Sequence, residues 1–457
     1  MDGSTERYTV AGLLAGVRLA EDPAREHELG ARLPAAAEPR AVSVTDLLAP
    51  RRAFWRRMRG PAPITPEREL RLERGRAWHR RLGHAVAAEG RLEVHVRRGG
   101  LSARIDLLAD VPIEVKTSST PGVGGPQDDR PDQVEQLAAY CALVGHPLGR
   151  LIHLRLHDDG PPEVSAADLS FDDLPAVSAE LGRREAALRG AVGAQSPERL
   201  GRCRWFDSGC DYRTAGVCDC RGDERLEPEA VAGRRGQRTD RPDVAARWEA
   251  ALRRAPTPEP TPVPRFRDLL YPRRAYFDRR VGRPPVNVPP RPPSAPMDTY
   301  ERTVAALERG PVGDVHTLAS GARAPEEEVL AWRGRPVLVR ASRTRSRLSA
   351  EELRSRFPQY LLELGFRCAH AGVPRATLVV GRELAAPGEP PVEVFDFELP
   401  EGTGAFTAAW EERRAVLERA IGAATPGGLP SCPGWMTSDC PYRAECGCAA
   451  DAERSHR

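Results

Sequence analysis

Lysine is almost missing from this chain. Of the 68 lysines and arginines in its 457 residues, one is a lysine, Lys116. Drift from Lys to Arg would thin lysine everywhere, so the survivor reflects either chance or a task a guanidinium cannot do. An excess of charge of one sign is also missing. The formal net charge is +3, too small for bulk electrostatics to announce a nucleic-acid binder, so any basic surface must be local. No apolar run approaches the roughly 20 residues a membrane helix needs. The opening stretch MDGSTERYTV carries acidic residues and no apolar core, unlike a signal peptide. The expectation is a soluble, cytoplasmic protein without a membrane partner.

What is present sets the organisation. The length suits two or three domains, and a hydrophobic content of 40% is enough for packed cores. With 41 Gly and 44 Pro, the Pro-rich stretches read as linkers. Ten cysteines in a cytoplasmic chain favour metal ligation over disulfides. Eight fall in two tight groups, Cys203, Cys210, Cys218, Cys220 and Cys432, Cys440, Cys446, Cys448. Cys141 and Cys368 sit inside predicted helices and read as small packing residues.

The sequence is written twice. DLLAPRRAFW at 46–55 returns as DLLYPRRAYF at 268–277, CALVGHP at 141–147 as CAHAGVP at 368–374, and SGCDYRTAGVCDC at 208–220 as SDCPYRAECGC at 438–448. The order is kept and the offset is nearly constant, the mark of a duplicated domain. The expected plan is a leader at 1–41, a first copy at 42–224, a Pro-rich linker at 225–264, a second copy at 265–449 and a tail at 450–457. Within the linker, APTPEPTPVP at 255–264 reads as a stiff extended spacer.

Around the lone lysine, LSARIDLLADVPIEVKTSS predicts two short strands joined near Asp110 to Pro112. Side chains two apart on a strand share a face, which puts Glu114 and Lys116 together, with Asp106 across the hairpin. Asp106 and Glu114 suit Mg²⁺ or Mn²⁺ as hard oxygen ligands. Such an ion polarises a phosphate and lowers the pKa of an attacking water. Lys116, a compact charge whose pKa responds to burial, suits orienting that water or steadying developing charge, where arginine substitutes poorly. The preceding segment 65–90 reads as a helix with Thr65 as N-cap and Pro66 in the first turn, and it carries Gly75-x-x-x-His79. His79 there is either a ligand or an ordinary surface or core histidine. RPDQVEQLAAYCALVG predicts a helix with Gln136 and Tyr140 on one face, either at the site or merely amphipathic. RRAFWRRMRG at 51–60 offers Arg51, Arg52, Arg56 and Arg57 beside two aromatics. That pattern fits a single-strand path by charge and stacking, or a solvated helix face with Phe54 and Trp55 in the core.

Taken in order, G-x-x-x-H, I-D, E-x-K and Q-x-x-x-Y resemble the RecB-type branch of the PD-(D/E)XK nucleases. With APRRAFW upstream and the cysteines downstream, residues 42–224 more narrowly resemble the iron–sulfur exonucleases of CRISPR adaptation, and 265–449 do so in outline. The resemblance implies an α/β restriction-endonuclease-like fold in tandem, each copy with a C-terminal four-cysteine module. It implies His79, Asp106 and Glu114 as metal ligands, Lys116 as catalytic base or charge stabiliser, and Gln136 and Tyr140 as supporting or DNA-contacting residues. It also implies a [4Fe–4S] cluster on one cysteine just before Pro-Arg-Arg and three near the C-terminus. Here the upstream position is Ala49 in one copy and Tyr271 in the other, and each copy has a fourth local cysteine instead, Cys220 and Cys448. Four thiolates suit zinc as well as iron–sulfur.

Aligning the copies puts Leu338 on Glu114, Arg340 on Lys116, Leu330 on Asp106, Glu363 on Gln136 and Arg367 on Tyr140. The segment matching the His79 helix has no histidine. The second copy is therefore expected to be catalytically dead and to serve structure or binding. The overall expectation is a metal-dependent DNase, trimming DNA that is single-stranded or has free ends, with a protein partner in repair or CRISPR adaptation. Its rivals are a non-catalytic DNA-binding or adaptor scaffold and a restriction-type endonuclease.

Overall fold

The computed structural model describes residues 9–33, 41–60, 78–79, 81–83, 85–118, 131–157, 162–201, 203, 210–218, 235–254, 266–280, 295–318, 329–342, 344, 346–385, 389–430, 442 and 446. The chain divides into two compact units. One comprises residues 38–258 with 308–319, the other 1–37, 259–307 and 320–457. Each is mixed α/β.

The first elements, α1 (Val10–Ala15), β1 (Arg18–Glu21) and α2 (Pro23–Arg32), belong to the second unit. Thr9 and Asp22 cap the two helices, their side chains accepting from the Gly12 and Arg25 amides. Residues 9–33 are thus an integral part of that unit rather than the expected leader.

The first unit continues with β2 (Val42–Ser43), α3 (Val44–Leu48), α4 (Pro50–Arg59), β3 (Arg91–Arg98), β4 (Leu101–Leu108), β5 (Pro112–Ser118), α5 (Pro131–Val144), β6 (Leu148–Arg155), β7 (Glu163–Phe171), α6 (Leu174–Gly193), α7 (Asp211–Thr214), β8 (Arg235–Asp240) and α8 (Pro242–Arg254). β3 and β4 form an antiparallel hairpin through Gly99 and Gly100, and β4 pairs with β5 over only two residues. β5 and β6 run parallel, joined through α5, while β7 and β8 follow antiparallel. The central β5 is covered on both faces, so four consecutive residues, Pro112 to Val115, are buried. One apolar cluster gathers residues of α3 to α6 with Val94, Ile105 and Leu151. A second gathers Leu82, Val86, Ile113, Val115 and Ile152 with Val244, Trp248 and Leu252 of α8. Those last three, spaced by four, are fully buried. They correct the expectation of a linker over 225–264: its residues 235–254 are a strand and a core helix. The APTPEPTPVP stretch lies outside the described residues.

After α9 (Phe266–Leu270), α10 (Pro272–Arg280) and α11 (Ala295–Glu308), strand β9 (Val315–Leu318) returns to the first unit, Thr317 lying opposite Leu92. The second unit then adds β10 (Val329–Trp332), β11 (Arg335–Ser342), α12 (Ala350–Arg356), α13 (Pro358–Ala371), β12 (Arg375–Arg382), β13 (Val392–Glu398) and α14 (Gly404–Gly422). β11 and β12 are parallel through α13, β10 and β13 flank them antiparallel, and β1 pairs with β13, Arg18 opposite Glu398. This is the β4–β5–α5–β6–β7–α6 path over again. No helix among the described residues is long and apolar enough to cross a membrane.

Candidate functional site

The strand period and the helix period meet at one point of the first unit. On β5, Glu114 is 2% exposed, and its Oε1 pairs with Nζ of Lys116. The same Nζ donates to Oε1 of Gln136 at 2.9 Å. One turn along α5, Tyr140 accepts from Nε2 of Gln136 at 2.7 Å and donates its own hydroxyl to the Arg104 carbonyl on β4 at 2.9 Å. A continuous chain of donors and acceptors therefore fixes the lysine head. The sequence put Glu114 with Lys116 and Gln136 with Tyr140 and left open whether the second pair lies at the site; the structure joins all four.

Burial pushes the Glu114 carboxyl up, the neighbouring Asp106 charge adds to it, and Lys116 offsets part, leaving it at about 7. Burial works against the Lys116 ammonium, but the Glu114 and Asp106 carboxylates outweigh it and hold its pKa above the usual range. Burial and the same carboxylates raise Tyr140 well above the ordinary phenol value, so it remains a donor. Burial lowers the pKa of His79 against the pull of Glu114, which favours the neutral, ligating imidazole.

Beside this chain, His79, Glu93 and Asp106 each bring a ligand atom within 4.8 Å of the others. The expected metal set was His79, Asp106 and Glu114. The structure gathers the first two with Glu93, while Glu114 faces Lys116. One oxygen of Asp106, Oδ2, accepts the Val115 amide at 2.7 Å, standing in for the strand ladder that β4 and β5 abandon. Glu93 pairs with Nε of Arg104 at 2.7 Å. It was missed from the sequence although a signal existed. The β3–β4 register, Leu92 opposite Leu107 and Val94 opposite Ile105, sets Glu93 across from Asp106. Glu114 Oε2 is buried without a hydrogen-bond partner among the described residues. Three carboxylates, one carrying an orphaned buried oxygen, and an imidazole held neutral fit a hard divalent cation such as Mg²⁺ or Mn²⁺.

Around α4 the arginines divide. Arg51 is buried and donates Nε to the Leu200 carbonyl at 3.2 Å, so it is a fastening inside the unit, correcting its assignment as a DNA contact. Arg56 and Arg57 share the buried Asp46 at 2.5 and 3.1 Å. Phe54 lies in the core with Trp55 edge-on to it. The Arg52 amide donates to Sγ of Cys203 at 3.3 Å. Cys203, Cys210 and Cys218 are buried and packed with Tyr212 and with Ala49, the residue at the upstream-cysteine position. In the second unit Cys446 is also buried. Cys220, Cys432, Cys440 and Cys448 lie outside the described residues. Cys141 and Cys368 are fully buried in α5 and α13, and burial pushes each thiol up to about 12, as packing residues require.

No protein-family model matches the chain, and no curated protein does. Among solved structures, SSO0001 is 18% identical at a TM-score of 0.29, over 43% of this chain and 96% of that one. A likeness that low carries no argument about fold or activity.

Proposed function

We propose that the first unit is a divalent-metal-dependent deoxyribonuclease of the RecB-like PD-(D/E)XK type, trimming DNA with single-stranded character from its ends. The second unit is a pseudo-nuclease that serves structure or binding. The observation that carries this reading is the position of the chain's one lysine. It pairs with a buried glutamate, is fixed by Gln136, and stands beside the His79 and Asp106 ligand atoms.

An ion held at His79 and Asp106 would polarise the phosphate and acidify a water. Lys116 keeps its proton and sets a compact positive charge where negative charge develops on the phosphate. Gln136 holds Nζ in one direction, and Tyr140 fixes which way the Gln136 amide faces. The four-cysteine groups are proposed to hold a [4Fe–4S] cluster in each copy, with zinc as the alternative. Iron and sulfide assay of anaerobically purified protein decides between them: colourless protein with stoichiometric zinc sinks the cluster.

The test of activity is cleavage of end-labelled single-stranded DNA with Mn²⁺ or Mg²⁺ by wild type, Lys116→Ala and Lys116→Arg. Wild type is expected to cut and both variants to lose on the order of 100-fold or more. Equal cutting by all three, or none by wild type, ends the reading in favour of a binding scaffold. Closed circular DNA is expected to survive; its cleavage would instead mark an endonuclease.

A further inference from the structure

We infer that Glu93 is a ligand of the divalent cation in the first unit, sharing the ion with His79 and Asp106, so that Glu114 is free to engage Lys116. This rests on the metal-dependent reading of the same site. Two separate observations point to a bound cation. Ligand atoms of His79, Glu93 and Asp106 converge within 4.8 Å. Independently, Glu114 is 2% exposed with Oε2 lacking a partner among the described residues, next to the Asp106 carboxylate. An oxygen buried in that way beside another carboxylate needs a positive neighbour. Lys116 meets only Oε1.

The backbone of Glu93 fits the same conclusion. It stands at φ +46° as the third residue of β3, with ladder pairs on both sides. A glutamate in this left-handed conformation is uncommon, and glycine adopts it freely. The conformation turns a residue that faces Asp106 in register into one whose carboxylate reaches the same point as Asp106 and His79. Arg104 on the partner strand holds that carboxylate in place through Nε. Glu93 is therefore retained against local backbone preference, in keeping with strain that persists where a site over-determines it.

The experiment is Mn²⁺ titration of the full-length protein followed by electron paramagnetic resonance, beside thermal melts without metal. The proteins are wild type, Glu93→Gln, Glu93→Gly, Asp106→Asn and Lys116→Ala. Both Glu93 variants are expected to bind Mn²⁺ at least roughly tenfold more weakly, as Asp106→Asn does, with Lys116→Ala not weakened. Glu93→Gly is expected to melt at or above wild type, because glycine relieves φ +46°; this separates ligand loss from unfolding. Mn²⁺ affinity unchanged in both Glu93 variants but lost in Asp106→Asn overturns the role of Glu93 and leaves the metal site standing. Wild type that binds no Mn²⁺ overturns both. Wild type that binds Mn²⁺ through Glu93 yet cuts no DNA upholds this inference and removes the nuclease reading.

Discussion

The two units run the same strand and helix path but close it with opposite chemistry. In the first, a buried glutamate, a lysine, a glutamine and a tyrosine form a chain with an orphaned oxygen left over. In the second, Leu338 takes the glutamate's place and is buried, lying opposite Leu378 as Glu114 lies opposite Leu151. Arg340 and Arg367 both pair with Glu363, the latter at 2.8 Å, and Arg340 also lies over the Tyr360 ring at 5.3 Å. Arg340, Arg367 and Glu363 are thus paired with one another. The buried acid of the first unit keeps an oxygen without a partner among the described residues, whereas Glu363 of the second gives its oxygens to two arginines.

The comparison is broken most sharply by grafting one closure onto the other. Lys116→Arg with Gln136→Glu rebuilds the second unit's Arg–Glu pair in the first. DNA cleavage is expected to fall on the order of 100-fold or more while the fold survives. The reciprocal Arg340→Lys with Glu363→Gln is expected to gain no cleavage, because Leu338 cannot ligate. Cutting by either double variant refutes the contrast. Next in size, Glu363→Gln leaves two partly buried arginines sharing one neutral amide and is expected to cost about 2 kcal/mol by denaturant titration. Gln136→Ala should cost about 1 kcal/mol, since only hydrogen bonds are lost.

A smaller pair tests what the copies share. Arg273 donates to the Leu429 carbonyl at 2.7 Å and to that of Cys446 at 3.1 Å, as Arg51 does to Leu200. Arg51→Ala and Arg273→Ala are expected to cost about 1 kcal/mol each and to speed labelling of the cysteines by a thiol reagent. Labelling unchanged in both would remove the fastening role.

The gentlest effect is one of pH. Burial pushes Glu393 on β13 up to about 7, only partly offset by the Leu348 amide, Arg382 and Arg347, with Glu26 adding to the rise. Between pH 4.5 and 7 the folded chain holds a proton that the unfolded chain releases, so stability falls as pH rises through that window. Glu393→Gln is expected to reduce the slope, the Glu114 carboxyl supplying the remainder. A slope unchanged by the substitution assigns it elsewhere.

The short-range parts of the site were legible because they rest on fixed periods: two along β5 for Glu114 and Lys116, four along α5 for Gln136 and Tyr140. Glu93 was not, since its role depends on hairpin register and on a φ that no glycine or asparagine announces. The core helix α8 was hidden for a related reason. Its apolar residues Val244, Trp248 and Leu252 stand among many charges and have no counterpart in the repeat, so composition spoke louder than spacing. β1 was hidden because its pairing partner, β13, lies at the far end of the sequence, where no local rule reaches.

That last pairing has a consequence for how the protein is made. Arg18 leaves the ribosome about 20–75 s before Glu398 does, at ordinary translation rates. For that interval β1 has no partner edge, while most of residues 38–258 can already collapse around their own core. The newborn chain thus carries an unpaired strand ahead of a folding unit, a template for wrong pairing that needs shelter until synthesis ends. The units are interlocked in the gene as well. A cut at residue 258 takes β9 from one and β1 from the other, so neither half of the message encodes a complete fold.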